Sequence, residues 1–496
     1  MPSSIIPAIA GAAQLIQGPD TVDPKDPLSL MAAVSLAAFD DAGPNAKSVC
    51  DGIFMVRTMS HGYRNPCGDL ARRLSVAPVE TIYAPIGGTT PQGLLFKAAT
   101  AIREGRMRAV LICGAEAAFS ERQIQRSGAD LGWPEKEENP FDPEPPAFTD
   151  YEMRNGIFAP SYAYAFFENA MRAHLGHDHE THRRYMGGIC ERLSEIAAQN
   201  PYSWSRAALS AGEISIPGPK NRMVGHPYTL RMNANIFVDQ AAAVLLMSDE
   251  TARSLGISSD RLVYPLSGAA LQNVRMVSKR PLLHDAPALD AAAKLAFSGA
   301  GCGIGDIAHF DFYSCFPWAV EAAMLELGVS PDDPRPISLT GGLPYFGGPG
   351  NNYSLHAVAE ATERIRADRK SLALVTSLGW YNTRWAVGIY GGEPLKDGWT
   401  APDNACAQGM IDDSALPDAV EKAEGDLLVE SLVVLHDRTG EAEHATALGR
   451  LKDGRRAFAR AERADVDLDS WEKTELIGTT MKVKHDPETG YNRLIP

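Results

Sequence analysis

The most distinctive stretch of the chain is Thr340–His356, which reads T-G-G-L-P-Y-F-G-G-P-G-N-N-Y-S-L-H. Five of its seventeen residues are glycine and two are proline, and glycine permits backbone angles that a Cβ forbids. Asparagine is favoured at a helix N-cap, and a helical pattern over Tyr353–Arg366 follows. The stretch therefore predicts a tight turn whose amides face outward at a helix start, suited to an anion or a polarised carbonyl. The alternative is a turn between two elements without any ligand.

A second glycine turn of the same kind lies in the first half of the chain. The turn Ile86–Pro91 is followed by a helical pattern over Gln92–Glu104 and by a continuous apolar run over Ala109–Gly114. Together with a short strand before the turn, this order predicts a βαβ unit with buried strands. Because the pairs Gly87–Gly88 and Gly347–Gly348 stand in equivalent turns, the sequence predicts an internal duplication.

The remaining α/β pattern is spread over both halves and is interrupted by an insertion. Charges, aromatic residues and the proline cluster Pro140–Pro146 predict helices and loops between Ser120 and Met232. Strands are predicted at Ile5–Ile16, Ile53–Val56, Asp239–Met247, Arg261–Gln272, Asp306–Phe316, Leu372–Ser377 and Trp385–Tyr390, and helices at Pro27–Ala42, Pro287–Phe297 and Trp318–Gly328.

The C-terminal residues have a different pattern of apolar and polar residues. About five short alternating segments separated by turn residues predict a small all-β barrel. The predicted domains are an N-terminal half at 1–120 and 233–257, an inserted loop domain at 121–232, a C-terminal half at 258–395, a linker at 396–424 and the barrel at 425–496.

Composition limits the classes of partner. The net charge of −15 disfavours nucleic acid, because neutralising phosphates requires a basic surface. No apolar run reaches membrane-spanning length, and residues 1–17 lack the basic start of a signal peptide. The seven cysteines are scattered and contain no C-x-x-C pair, which is typical of reduced thiols in a cytoplasm. We expect no metal and no cofactor.

Three segments together resemble the thiolase superfamily, close to its sterol-carrier-type branch and the thiolase-like proteins. They are G-G-T-T-P-Q-G-L-L-F-K-A-A-T-A-I-R-E-G followed by V-L-I-C-G-A-E-A, then D-F-Y-S-C-F from Asp311, and the stretch from Thr340 followed by L-V-T-S-L-G-W. The resemblance covers about residues 5–392. It implies two similar βαβαβαββ halves in a five-layer α-β-α-β-α fold, with an acyl-CoA as the small-molecule ligand. It also implies that the tail is similar to an oligonucleotide-binding-type barrel, and it is compatible with a homodimer.

The catalytic pattern departs from that of the family. By the resemblance, the acylated cysteine falls at Gly88, the general-base histidine at Gly348 and the second cysteine near Thr376. Glycine cannot attack a thioester or carry a proton, and loss of a nucleophile lowers the rate by orders of magnitude. The usual reaction through an acylated cysteine is therefore not expected.

The residues that remain define the candidate site. Tyr313 stands where the family places an oriented polar residue, and a phenol can act as an acid or base if its pKa is lowered. Cys315, two residues further on, shares its face in a strand and is a candidate nucleophile, with a buried hydrophobe as the alternative. His356 is a candidate acid or base, or a packed side chain. The residues expected to bind the acyl-CoA, largely through an amide oxyanion hole, are Gly88, Thr89, Thr90, Tyr345, Gly347, Gly348, Asn351 and Asn352.

Two histidine patterns are interpreted as structural. Gly225-His226-Pro227 spells the family's base motif but lies in the insertion without the preceding glycine turn. His174, His177, His179 and His182 crowd into nine residues, and a solvated turn entering a helix at Thr181 explains them more simply than a metal site.

Three classes of function are compatible with these residues. The first is an acyltransferase or a retro-aldol or retro-Claisen lyase that uses Tyr313 without an acylated cysteine. This class is favoured because the frame for polarising a carbonyl is retained. The second is a module that binds CoA or acyl-CoA without turnover. The third is a subunit of a larger complex.

Overall fold

The computed structural model describes residues 5–137, 147–401 and 403–495, so the proline cluster Pro140–Pro146 lies outside the described residues. The elements of the first half are β1 (Pro7–Ile16), α1 (Pro27–Ala42), β2 (Cys50–Met55), α2 (Pro66–Leu74), β3 (Glu80–Tyr83), α3 (Thr90–Arg103) and β4 (Ala109–Ala117). Those that follow are α4 (Ala118–Ser127), α5 (Asp150–Arg154), α6 (Pro160–His174), α7 (His179–Gln199), α8 (Ala211–Ser215), β5 (Met223–Gly225), β6 (Tyr228–Thr229), β7 (Asp239–Ser248) and α9 (Asp249–Ser254).

The second half consists of β8 (Tyr264–Gln272), α10 (Pro287–Ala300), β9 (Ile307–Asp311), α11 (Pro317–Leu327), α12 (Tyr353–Ala367), β10 (Leu372–Gly379) and β11 (Arg384–Gly391). The last elements are α13 (Ala405–Asp412), β12 (Glu424–His436), β13 (Ala442–Leu451), β14 (Arg456–Glu462), α14 (Leu468–Trp471), β15 (Thr480–His485) and β16 (Asn492–Ile495). Short 3-10 helices occur at Ala46–Val49, Leu230–Met232, Ser259–Arg261, Val277–Lys279 and Ile304–Asp306.

Local sequence explains where the first helix begins and ends. The Asp26 carboxylate accepts from the amides of Leu28 and Ser29, and Pro27 occupies the first helical position. Gly43 ends the helix at a φ of 127°. Strand β4 is buried along its whole length, as its continuous apolar run predicted.

Two sheets and three layers of helices form the body of the protein. The first sheet has the order β1-β7-β4-β2-β3 and the second has the order β8-β11-β10-β9. Helices α3 and α12 pack between the sheets, α1 and α2 cover the outer face of the first sheet, and α10 and α11 lie on the outer side of the second half. Both central helices begin at the same end of the molecule, and this brings their N-terminal loops together.

The second half has one strand fewer than the first. The segment between α11 and Thr340 contains Pro331, Pro334 and Pro336, and proline cannot donate to a strand ladder. The second half therefore departs from the full βαβαβαββ order at this strand. The strand predicted over Asp306–Phe316 is also too long, since β9 ends at Asp311.

The C-terminal residues form a closed barrel of five strands. Strand β12 pairs with both β13 and β15, β13 with β14, and β16 with both β14 and β15. Strand β12 also extends to the β5–β6 hairpin of the insertion. The buried guanidinium of Arg172 on α6 donates to both carboxylate oxygens of Glu475, at 2.6 and 2.8 Å. The barrel is thus packed against the insertion.

The segment predicted as a linker contains helix α13. Its Gln408 side-chain amide donates to the Gln272 carbonyl, and Asn404 donates to the Ala270 carbonyl, so the segment follows β8. Among the described helices, none combines the length and apolarity needed to cross a bilayer. All seven cysteines lie within the described residues, and none is paired.

Candidate functional site

The two glycine turns meet between α3 and α12. The Asn351 side chain accepts from the Gly87 amide at 2.9 Å and donates to the Arg57 carbonyl at 3.0 Å. The Asn352 side chain donates to the Gly114 carbonyl at 2.8 Å. Neither asparagine side chain caps α12, contrary to the expectation from the N-cap preference. Their amides instead join the second half of the chain to the first.

A buried carboxylate fixes the start of the Thr340 turn. Oδ2 of Asp311 accepts from the Ser338 and Thr340 hydroxyls and from the Leu339 and Thr340 amides, at 2.8–3.0 Å. Thr340 also shares a hydrogen bond with the Tyr353 hydroxyl at the start of α12, with 2.6 Å between their oxygens. The turn is therefore held by one side chain at the end of β9.

A cavity of about 470 Å³ opens beside these turns. Its walls come from both halves and from the insertion, and they are mostly apolar. The lining residues are Met59, Ile86, Gly87, Gly88, Pro160, Ser161, Tyr164, Asn233, Ala234, Ile236, Tyr313, Cys315, Phe316, Leu343, Gly348, Gly350, Asn351, Leu378, Trp380 and Tyr381. None of these described lining residues carries a carboxylate, an imidazole or a basic group.

Tyr313 occupies the space in which a side chain on residue 88 would lie. A Cβ built on Gly88 would come 2.7 Å from the Tyr313 hydroxyl oxygen and closer still to the Leu378 carbonyl oxygen. Real Cβ atoms do not approach other atoms so closely. The family's cysteine nucleophile is therefore absent from the sequence, and a phenol from the second half of the chain fills the place where its side chain would lie.

The Tyr313 backbone and ring are held in place, and the residue lines the cavity. The Tyr313 amide donates to the Thr376 hydroxyl at 2.8 Å, and its ring packs edge-on against Tyr353 with centroids 5.4 Å apart. Burial raises the pKa of the Tyr313 phenol far above its usual range. Burial also raises the pKa of the Cys315 thiol to about 12. Both groups are neutral at physiological pH, which favours hydrogen-bond donation over proton abstraction or nucleophilic attack.

Tyr164 and Trp380 also line the cavity and were not among the predicted site residues. The Tyr164 hydroxyl donates to the Trp380 carbonyl at 2.8 Å and accepts from the Asn382 amide at 3.1 Å. Trp380 and Asn382 have φ of 59° and 53°, so this hydroxyl holds a turn in the left-handed region. The G-W-Y-N run after β10 was the available signal, since asparagine tolerates that conformation.

Several amides expected to form an oxyanion hole are already used within the protein. The amide of Thr90 donates to the Gly87 carbonyl, that of Gly348 to the Asn235 carbonyl and that of Gly350 to the Gly348 carbonyl. A tight turn satisfies its own donors in this way. These three amides therefore do not point into the cavity as free donors.

The other predicted binding residues divide into two groups. Gly88, Gly348 and Asn351 line the cavity with Tyr313 and Cys315, while Thr89 and Thr90 line a separate cavity of about 240 Å³. Gly347, Tyr345, Asn352 and His356 are not among the residues that line either cavity.

The residues away from the cavities have structural contacts. Gly347 has a φ of 123°, and a side chain there would collide with Gln240. His356 is buried, its Nδ1 lies 2.8 Å from the Gln14 side-chain oxygen, and burial lowers its pKa to about 3. Tyr345 is buried, and its hydroxyl interacts with the Cys190 thiol.

The histidines set aside in the sequence lie elsewhere. His226 is in the turn between β5 and β6, and its amide donates to the Val434 carbonyl of the barrel. Helix α7 begins at His179, and the Asp178 carboxylate caps it by accepting from the Thr181 amide. His174 stacks on His284 with centroids 3.9 Å apart, whereas His182 points into a buried carboxylate cluster.

Glu116 lies behind the cavity and makes the stability of this region depend on pH. Its carboxylate accepts from the amides of Met59 and Ser60 at 2.7 and 2.8 Å, and Gly350 packs against it. Burial raises the pKa of Glu116 to about 7. From about pH 4.5 to 7 the unfolded chain loses this proton while the folded chain keeps it, so the folded state loses stability as the pH rises.

We expect this group to lower the free energy of unfolding by about 3 kcal/mol over that interval, at about 1.4 kcal/mol per pKa unit. Urea unfolding at pH 4.5 and pH 7 measures the loss, and Glu116→Gln removes this contribution to it. The exposed Glu250→Gln variant is the control and keeps the wild-type pH dependence. An unchanged pH dependence in Glu116→Gln would contradict the assignment.

The two sheets, the paired central helices and the facing glycine turns define a protein of the thiolase fold. A crystal structure of a monomeric SCP2-thiolase-like protein type 1 from Mycobacterium smegmatis superposes with a TM-score of 0.85 and 31% identity, over 99% of this chain and 98% of that one. A family model described as the thiolase-like protein type 1 additional C-terminal domain matches residues 407–488. The chain belongs to the SCP2-thiolase-like proteins of type 1. The predicted superfamily, its α/β fold and the C-terminal barrel are thereby confirmed.

More distant structures share the fold alone. One is described as an Ltp2-ChsH2(DUF35) aldolase, with a TM-score of 0.60 and 17% identity over 78% of this chain and 97% of that one. An acetyl-CoA acetyltransferase from Syntrophomonas wolfei has a TM-score of 0.54 and 13% identity over 79% of this chain and all of that one. The search of curated protein sequences gave no match.

Proposed function

We propose that the cavity binds an acyl thioester of CoA without forming a covalent acyl-enzyme, and that the Tyr313 hydroxyl donates a hydrogen bond to the acyl carbonyl. The observation that carries this proposal is the position of that hydroxyl in the place of a residue-88 side chain, where Gly88 and Tyr313 both line a mostly apolar cavity. The acetyl-CoA acetyltransferase among the similar structures and the thiolase fold support CoA thioesters as the ligand class.

The ionisable groups of the cavity wall are neutral, and this favours binding of a thioester over the lyase reaction predicted from the sequence. Proton abstraction requires a base near the substrate, and the described cavity wall offers phenols and one thiol. Burial raises the pKa of Tyr313, Tyr164 and Cys315, so each of them holds its proton. A neutral phenol polarises a carbonyl by donation, and an apolar wall strengthens that hydrogen bond. The polar phosphates of CoA lie outside this apolar wall in the proposal.

The proposal is tested by comparing a thioester with free CoA. We expect Tyr313→Phe to weaken the binding of acetoacetyl-CoA about 10-fold, the equivalent of one net hydrogen bond of about 1.4 kcal/mol, and to leave free CoA unaffected. Isothermal titration calorimetry measures both affinities. Tyr345→Phe is the matched control because Tyr345 does not line the cavity, and it should bind like the wild type.

Three results distinguish the alternatives. Equal affinity of the wild type and Tyr313→Phe for acetoacetyl-CoA would refute the role of the hydroxyl. Cleavage of a β-hydroxyacyl-CoA by the wild type, lost in Tyr313→Phe, would establish the lyase instead. If neither CoA nor a thioester raises the melting temperature and a second protein co-purifies, the chain is a subunit of a complex.

A further inference from the structure

A fully buried group of ionisable side chains lies outside the cavity. Glu168 on α6, His182 on α7 and Glu321 on α11 each offer a ligand atom, and these atoms all lie within 4.8 Å of one another. Nε2 of His182 is 2.8 Å from Oε1 of Glu168 and 4.0 Å from Oε2 of Glu321. The group joins two helices of the insertion to one helix of the second half.

Glu321 is buried beside Glu168 and His182 without a close hydrogen bond. Its side chain is 1% exposed, and neither carboxylate oxygen has a hydrogen-bond partner among the described residues. Burial beside Glu168 raises its pKa well above the usual range. A buried carboxyl group without a close hydrogen bond is unfavourable, and either a bound cation or a proton shared with Glu168 satisfies it.

The neighbours of the group orient it as outer partners orient metal ligands. The Tyr228 hydroxyl donates to Oε2 of Glu168 at 2.7 Å and leaves Oε1 directed at His182. Nδ1 of His182 lies 3.3 Å from Nδ1 of His177, so the second ring nitrogen also has a partner. Either ring nitrogen of this pair can carry the shared proton. In the tautomer with the proton of His182 on Nδ1, its Nε2 is bare and faces the carboxylates, as a cation ligand must.

We propose that Glu168, His182 and Glu321 bind one divalent transition-metal ion of the zinc type. Two carboxylates neutralise the charge of the ion, and one imidazole with carboxylate oxygens is a ligand set that zinc accepts. Metal–ligand bonds of about 2.0–2.2 Å place the ligand atoms roughly 3–4 Å apart. Small movements of the three side chains reach that spacing, because their ligand atoms already lie within 4.8 Å of one another. The site holds the insertion against α11, one aromatic layer behind the cavity, because Tyr228 stacks on the cavity residue Phe316.

The alternative to a metal ion is a proton held on Glu321, and measuring the metal content of the protein distinguishes the two. The full-length protein is stripped with a chelator, incubated with Zn²⁺, desalted and analysed by mass spectrometry for metals. We expect one zinc per chain in the wild type and at least about 100-fold weaker binding in Glu321→Gln, which keeps the side-chain shape. Glu195→Gln changes an exposed residue of α7 and should bind like the wild type.

Diffraction at the zinc absorption edge locates the ion without any variant. An anomalous peak between the three side chains supports the site even where Glu321→Gln does not fold. Less than about 0.1 equivalent of zinc in the wild type, a peak elsewhere, or Glu321→Gln binding as tightly as the wild type would overturn the proposal.

Discussion

Replacing Gly88 by cysteine destabilises the protein and does not restore an acylated intermediate. The new Cβ would lie 2.7 Å from the Tyr313 hydroxyl and closer to the Leu378 carbonyl oxygen, which is main chain and cannot rotate away. Forced overpacking of this kind lowers the free energy of unfolding by about 1–3 kcal/mol or more, and we expect a value near 3 kcal/mol. Urea unfolding measures the loss, and mass spectrometry after incubation with acetyl-CoA should detect no acetyl group on the introduced thiol.

The equivalent glycine in the second half is the control. A Cβ on Gly348 meets its nearest atoms at 3.4–3.7 Å, which is ordinary contact, so Gly348→Ala should change the free energy of unfolding by less than about 1 kcal/mol. The double variant Gly88→Ala with Tyr313→Phe removes the hydroxyl but not the Leu378 carbonyl. We expect it to remain destabilised, and full recovery would show that the phenol alone excludes a side chain.

Replacing Asp311 by alanine should have the second large effect. Its Oδ2 satisfies two backbone amides and two hydroxyls in a fully buried position at the start of the Thr340 turn. Removing the acceptor leaves these donors unsatisfied, each at about 1–3 kcal/mol, although some rearrange or admit water. We expect a loss of about 4 kcal/mol in urea unfolding, together with weaker thioester binding because Gly348 and Gly350 follow this turn into the cavity.

Two further variants test whether the loss of stability in Asp311→Ala comes from the missing acceptor. Asp311→Asn keeps one oxygen acceptor and should lose less than half as much stability as the alanine variant. Asp332→Ala removes an exposed carboxylate on the adjacent loop and should unfold like the wild type. A loss below about 1 kcal/mol in Asp311→Ala would contradict the role of the carboxylate in holding the turn.

Local patterns account well for most elements. Apolar runs located β4, β7 and β10, and the prolines and glycines at helix boundaries placed α1 and α10 within a few residues of their ends. Two predictions of strands were wrong, and both have causes in the local sequence or its hydrogen bonds. Pro331, Pro334 and Pro336 exclude the third strand of the second half, and the strand over Asp306–Phe316 stops once the Phe312 and Tyr313 amides bond outside the sheet.

The candidate site was predictable only in part. The family resemblance located Gly88, Gly348 and Tyr313, and a strand period of two pointed to Cys315, although the strand ends at Asp311. The structure brings all four to one cavity. It does not bring Tyr345, Asn352 or His356 there, because residues adjacent in sequence on a turn or helix point in different directions. Tyr164 comes from the insertion, far before Tyr313 in the chain, and no local pattern connects the two.

The amino-acid sequence by itself determined the duplicated α/β plan and the C-terminal barrel, since these depend on periodicity and turn residues. Its resemblance to the thiolases implied the loss of the cysteine nucleophiles and of the general-base histidine. Only the tertiary structure decided that the place of a residue-88 side chain is filled by Tyr313. It also decided that Asn351 and Asn352 join the two halves, and that His182 meets Glu168 and Glu321. The physical reason is that each of these facts concerns atoms a few ångströms apart that are separated by up to 294 residues, and only packing brings them together.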